Sequence, residues 1–360
     1  MGGAAPSGDV VSGRGWNRLL PAALLVYALA SGPLGAENHL LVVTGVGGEQ
    51  SYTERFHAWA TRVVEAALEA GLSEDRVVYL GERPELDPER IRDRSTGENL
   101  LAEIEALTKQ SSAGDTVWIV LFGHGSGSAG PPRFNLPGRD LVAEQYAAAL
   151  EPLSDRRVVF INASSASGGF IAPLAKEGRV VITATRSGAQ GNEALFGGYI
   201  AEALDGGAGD RNKDGRTSAL EAFEFAQREV ERYYRQAGQI RTEHALLEDN
   251  GDGKGSLEPA GLDADGQVDG RLASLVLLGE EALPAALTEE SRELAERRGD
   301  IERRIDELRL QRESLDEDVY LEELQELMVE LALVDRELDE SGTKSGEDDG
   351  SDGPNGEPDR

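Results

Sequence analysis

Between His39 and Leu204, short continuous apolar runs alternate with longer stretches of helical periodicity. His39–Val46, Arg76–Leu80, Val117–Phe122, Arg157–Asn162 and Arg179–Thr185 are brief and rich in β-branched residues. That is the pattern of strands buried on both faces of a parallel sheet. Ser51–Ala70 sets Phe56, Trp59, Ala60, Val63, Ala67 and Leu68 at helical spacing, and Gly71 follows at the position where helices end. Gly97–Gln110 aligns Leu100, Ile104 and Leu107, with Ser95-Thr96 before it as a cap. Leu141–Leu150, Ile171–Lys176 and Ala194–Leu204 are further short helical segments, and Gly81–Asp93 is a loop rich in proline and charge. Strands alternating with helices predict an α/β fold with a mostly parallel sheet and helices on both faces.

Two strand ends carry the candidate chemistry. Thr116–Ser128 runs from an apolar strand straight into Gly123-His124-Gly125. A histidine at the C-terminal end of a buried strand sits where open α/β sheets place ligands and catalytic groups. The next strand ends in Ala163-Ser164-Ser165-Ala166-Ser167-Gly168-Gly169-Phe170, a small-residue turn. Gly125–Pro137, rich in Gly, Pro and Ser, is expected to form a long loop over this site.

This pair of strand ends, His-Gly and then Ser-x-Ser-Gly, resembles the legumain and caspase peptidases, in which a His-Gly ends one strand and a Cys-x-Ser-Gly or Cys-x-Gly turn ends the next. The resemblance spans roughly residues 38–235 and implies a caspase-like fold. It places His124 on the catalytic histidine, Ser165 on the nucleophilic cysteine and Arg55 on a substrate-pocket arginine. The acidic pocket residue two positions before the legumain nucleophile is Ala163 here, so asparagine specificity is not implied. A thiol beside a histidine ionises readily, whereas a serine hydroxyl needs an aligned base, usually oriented by a third group. The substitution therefore points to a degenerate dyad.

Asp210-Arg211-Asn212-Lys213-Asp214-Gly215-Arg216-Thr217-Ser218-Ala219-Leu220-Glu221 matches the EF-hand loop pattern. Asp210, Asn212 and Asp214 supply the early ligands, Arg216 a carbonyl, Ser218 the ninth position and Glu221 the closing carboxylate, a hard-oxygen set suited to Ca²⁺. The exiting helix is Ala219–Tyr234. Glu248-Asp249-Asn250-Gly251-Asp252-Gly253 is a second acidic loop and a weaker cation candidate, since Pro259 stands where a closing glutamate belongs.

Beyond this, 236–284 reads as an acidic, Gly-rich loop region. Residues 285–340 carry heptad-like leucines and isoleucines broken near Asp316–Asp318, the pattern of a helical hairpin or coiled coil suited to self-association or a partner. Residues 341–360 are Gly-, Ser- and acid-rich, as disordered tails are. At the other end, Arg14 and Arg18 precede the apolar Leu19–Ala30 and small residues up to Ala36, so 1–36 reads as a secretory signal peptide, with a retained anchor as the alternative. Export to a periplasmic or extracellular location follows from that reading.

Composition narrows the options. Acidic residues number 67 against 36 basic ones, for a formal net charge of -31. Such a surface disfavours nucleic acid and suits divalent cations. No cysteine is present, which excludes disulfides, thiolate metal sites and a cysteine nucleophile. Three expectations remain open. The first is an inactive pseudopeptidase that binds calcium and a protein or peptide. The second is a hydrolase using Ser165 with His124 as base. The third is a Ca²⁺-dependent interaction module on an inert scaffold.

Overall fold

The computed structural model describes residues 36–279 apart from 128, 191–194, 206, 212, 214–215 and 261–267. Further on it describes 294, 297–298, 301, 304–305, 308–312 and 315–346, with only the backbone at 335 and 339–346. The chain divides into two units, Met1–Leu34 and Gly35–Arg360. Residues 1–35 and those from 347 lie outside the described residues, and with them nearly all of the expected signal peptide and most of the expected disordered tail; 341–346, read as disordered, are helical instead. No helix among the described residues is long and apolar enough to cross a membrane.

The second unit is built on a seven-stranded sheet. Its order is β10 (Leu246–Glu248), β9 (Arg179–Thr183), β8 (Arg157–Asn162), β4 (Thr116–Phe122), β1 (Asn38–Thr44), β2 (Val77–Gly81) and β3 (Asp93–Arg94). All neighbours are parallel except β10, which runs antiparallel to β9 with Leu247 opposite Ile182. The strands at the centre are buried from end to end because both faces are covered.

Side-chain alternation divides the core in two. Leu40, Val42, Trp118, Val120, Val159, Ile161 and Ile182 face α1 (Gln50–Glu69), α5 (Phe196–Leu204) and α6 (Ala219–Ala237). Leu41, Val43, Val117, Ile119, Leu121 and Phe160 face α2 (Gly97–Gln110), α3 (Ala143–Leu150) and α4 (Ile171–Leu174). Trp118 is fully buried, and its indole N–H donates to Asn38 Oδ1 at 3.1 Å, so the ring adds apolar burial without stranding its donor. The Thr96 side chain accepts from Asn99 N at 3.2 Å, the cap expected for α2.

Two further regions differ from the sequence reading. The Gly125–Pro137 loop is partly ordered. Gly125–Ser126 (β5), Arg133–Phe134 (β6) and Leu141–Val142 (β7) form a small antiparallel sheet, and α3 starts at Ala143. These strands are too short to show a period of two in the sequence. The segment read as loop region from 236 contributes β10, the helix α7 (Arg271–Leu275) and the core residues Leu247, Leu272, Ala273, Val276 and Leu278. Its few apolar positions become core only through contacts with distant parts of the chain.

The C-terminal region has a small core of its own. Ile301, Ile305 and Leu308 bury against Leu327 and Val334 of α8 (Glu317–Gly346). Arg297 and Arg304 both reach Glu330. Leu310 packs on the main core, and Arg271 Nη2 donates to Arg309 O at 2.6 Å, which ties this region to the sheet domain.

Candidate functional site

The C-terminal ends of β1, β4, β8 and β9 meet at one edge of the sheet. β4 and β8 are neighbours with Leu121 opposite Asn162, so His124 and Ser165 leave adjacent strands. Ser165 is 3% exposed. Its Oγ accepts from Gly125 N at 3.2 Å and donates to Gly125 O at 3.3 Å. No hydrogen bond joins it to His124. The His124 ring lies edge-on to Tyr52 and Phe56 of α1, with centroids 4.8 and 5.2 Å away. Burial holds its pKa below the usual histidine value, and a hydrogen bond with the Gly47 backbone works the other way. Arg55 stacks 5.3 Å over the Tyr52 ring, which places it beside the aromatic wall of His124.

The turn around Ser165 is tightly determined. Asn162 Oδ1 accepts from both Ser164 N (3.1 Å) and Ser164 Oγ (2.6 Å). Ser167 Oγ accepts from Ala184 N and Thr185 N, and Gly168 N donates to Thr185 Oγ1. Ala166 adopts a left-handed conformation (φ 56°, ψ 16°), which is uncommon for a residue with a side chain. Its N–H donates to Gln190 O at 2.8 Å. Gln190 also accepts from Arg186 N and contacts His244 Nδ1 at 3.0 Å. Asn162 and Gln190 escape sequence reasoning. Asn162 ends an apolar run and Gln190 sits in a featureless loop, so neither carries a local signal. Next to His244, Glu243 caps the start of α5 by accepting from Leu195 N and Phe196 N, each at 3.1 Å.

Of the calcium-loop candidates, Asn212 and Asp214 lie outside the described residues, as does Gly215. Asp210 Oδ1 accepts from Lys213 N at 2.6 Å, and Lys213 has a positive φ of 62°. Glu221 makes a capping box with Ser218 and accepts from Arg211 N at 3.2 Å, so its carboxylate turns back across the loop. Arg216 reaches Gly279 O through Nη2, which leaves its own carbonyl independent of that contact.

The second acidic loop is folded inward. Asp249 accepts from Gly270 N at 2.7 Å and Ala273 N at 2.8 Å, capping α7, and Asp269 accepts from Asp249 N at 3.1 Å. Glu248 is fully buried; one oxygen accepts from Gly253 N at 3.4 Å, and Oε2 has no hydrogen-bond partner.

No protein-family model and no curated protein matches the sequence. Among solved structures, the chain is similar to protein GSU0716 from Geobacter sulfurreducens at a TM-score of 0.39 and 13% identity, over 59% of this chain and 92% of that one. It is similar to the Drosophila initiator caspase Dronc at 0.36 and 12%, over 68% and 93% respectively. The mostly parallel seven-stranded sheet flanked by helices is the α/β architecture that the alternation of strands and helices predicts.

Proposed function

We propose that this is an exported, catalytically inactive relative of the caspase and legumain peptidases, which binds calcium and a protein or peptide partner. The observation that carries the reading is the engagement of Ser165. Its hydroxyl is buried and bound on both sides by Gly125, with no base hydrogen-bonded to it. His124 is held by aromatic rings and the Gly47 backbone, and no carboxylate among the described residues orients it. A serine nucleophile needs both elements.

The inward turn of Glu221 supports calcium binding, because its carboxylate already closes the loop that begins at Asp210. Leu321, Met328, Val329 and Leu333, exposed along α8, support a partner or self-association surface. One observation favours the alternative of a serine hydrolase. The left-handed Ala166 directly after Ser165 is the kind of backbone strain that clusters at functional sites.

The test is cleavage of a diverse peptide library by the chain lacking residues 1–36, with Ca²⁺ present. No turnover is expected from the parent. Cleavage lost in both Ser165→Ala and His124→Ala would overturn the inactive reading in favour of the hydrolase. Calcium is tested separately. Chelation is expected to lower the melting temperature by about 5 °C, as for an ion held near a hundredfold above its dissociation constant. In Glu221→Gln that calcium-dependent shift disappears. An equal shift in the variant would remove the loop from consideration, whatever the variant's own stability, since Gln can keep the capping box with Ser218.

A further inference from the structure

At the opposite edge of the sheet from His124, Glu37, His39 and Asp115 come together where β1 and β4 begin. One candidate ligand atom from each lies within 4.8 Å of the others. The strand register explains the meeting. Asn38 pairs with Thr116 and His39 with Val117, so His39 and Asp115 fall on the same face of neighbouring strands. His39 is 2% exposed, and neither ring nitrogen makes a hydrogen bond. Buried polar side-chain atoms are rarely left so. Its Nε2 stands 3.5 Å from Asp115 Oδ2. That spacing is close to the distance of about 3.4 Å between two ligands of a tetrahedral ion bonded at about 2.1 Å.

We propose that Glu37, His39 and Asp115 form a divalent transition-metal site of the zinc type, completed by water. One imidazole and two carboxylates are ligands that Zn²⁺ takes readily. Ca²⁺ takes oxygen ligands, and the imidazole of His39 is not one of them. Asp115 is held in position by accepting from Glu37 N at 2.9 Å and Ser112 N at 2.7 Å, the outer support that orients a metal-binding carboxylate. Glu37 Oε1 lies 3.7 Å from Arg76 Nη1. A carboxylate has a second oxygen, so Glu37 can turn one toward the ion and keep Arg76 with the other. The strand β1 separates this corner from the His124 end by about 20 Å at the usual rise per residue. The ion would therefore clamp the start of the sheet and take no part in chemistry at Ser165.

The experiment is calorimetric titration of the full chain with Zn²⁺, in millimolar Ca²⁺ so that hard-oxygen loops are filled. The parent is expected to bind one ion with micromolar or tighter affinity and to melt about 5 °C higher. Co²⁺ in the same site should give the visible absorption of a low-coordinate ion. The Glu37 side chain is 29% exposed and the change conservative, so Glu37→Gln should fold and weaken Zn²⁺ binding at least tenfold. His39→Gln should abolish the Co²⁺ band; if that buried variant does not fold, Glu37→Gln alone carries the test. The proposal is overturned if the parent binds no Zn²⁺ tighter than about 100 μM. It is equally overturned if Glu37→Gln binds as tightly as the parent.

Discussion

Replacing Gly168 with alanine should cost about 3 kcal/mol or more and lower the melting temperature by roughly 10 °C. A Cβ at this position would stand 2.2 Å from both Arg186 C and Ser187 N and 2.4 Å from Thr185 O. All three atoms are backbone, so no side chain can swing aside to make room. The turn after β8 and the end of β9 are also joined by Gly168 N to Thr185 Oγ1 and by Ser167 Oγ accepting from Ala184 N. Relief of the clash would have to break these contacts. Gly125→Ala should act in the same way, since its Cβ would meet Ser165 O at 2.2 Å. Gly114 is the control. It has φ +89° with nothing within 4 Å, so alanine there meets only backbone strain of about 1 kcal/mol. Urea unfolding of the three variants measures the difference. A Gly168→Ala protein no less stable than Gly114→Ala would show that the Ser165 turn is not packed as described.

The same residues show how far local pattern reaches. The continuous apolar runs of β4 and β8 are legible because each strand is covered on both faces, and the small residues at their ends are legible because a tight approach demands them. Helix α2 starts where Thr96 predicts, because a cap is a contact across three residues. Legibility fails where a contact joins distant segments. His39 reads as one polar residue opening a strand and Asp115 as one acid closing a turn; only the β1–β4 register brings them to 3.5 Å. β10 is only three residues long and begins an acidic stretch, so its place beside β9 comes from pairing alone. Glu243 looks like a surface charge in the sequence, yet it is 3% exposed because the start of α5 needs an acceptor. The EF-hand-like sequence pattern at 210–221 is the converse case. Its pattern is local and plain, while Asn212 and Asp214 fall outside the described residues.

Glu248→Gln is expected to stabilise the protein at pH 8 and leave it nearly unchanged at pH 5. Burial, reinforced by the nearby Asp269 and Asp249 carboxylates, pushes the Glu248 carboxyl up to about 7 against the hydrogen bonds from Gly253 and Gly251. The folded state therefore binds a proton that the unfolded chain releases near 4.5. Below that pH both states are protonated and the full contribution is present. As pH rises from about 4.5 through 7 the contribution is lost, because the carboxylate must ionise beside other acids in the fold. Glu243, also raised to about 7 by burial, adds to the same trend, and burial raises Asp249 and Asp269 as well. Arg179 on β9 offsets this only in part, since its guanidinium is engaged by the carbonyls of Leu174 and Leu150. Self-repulsion at a net charge of -31 also weakens the parent as pH rises, so the parent's pH curve alone does not isolate one group. The substitution does. It removes the ionisation while keeping the shape, and the gain at pH 8 should be on the order of 2 kcal/mol. Unfolding by urea at pH 5 and pH 8, with chelator present so that no cation neutralises the loop, gives the comparison. If the two proteins lose stability in parallel across that range, the buried Glu248 carboxyl is not the group that titrates.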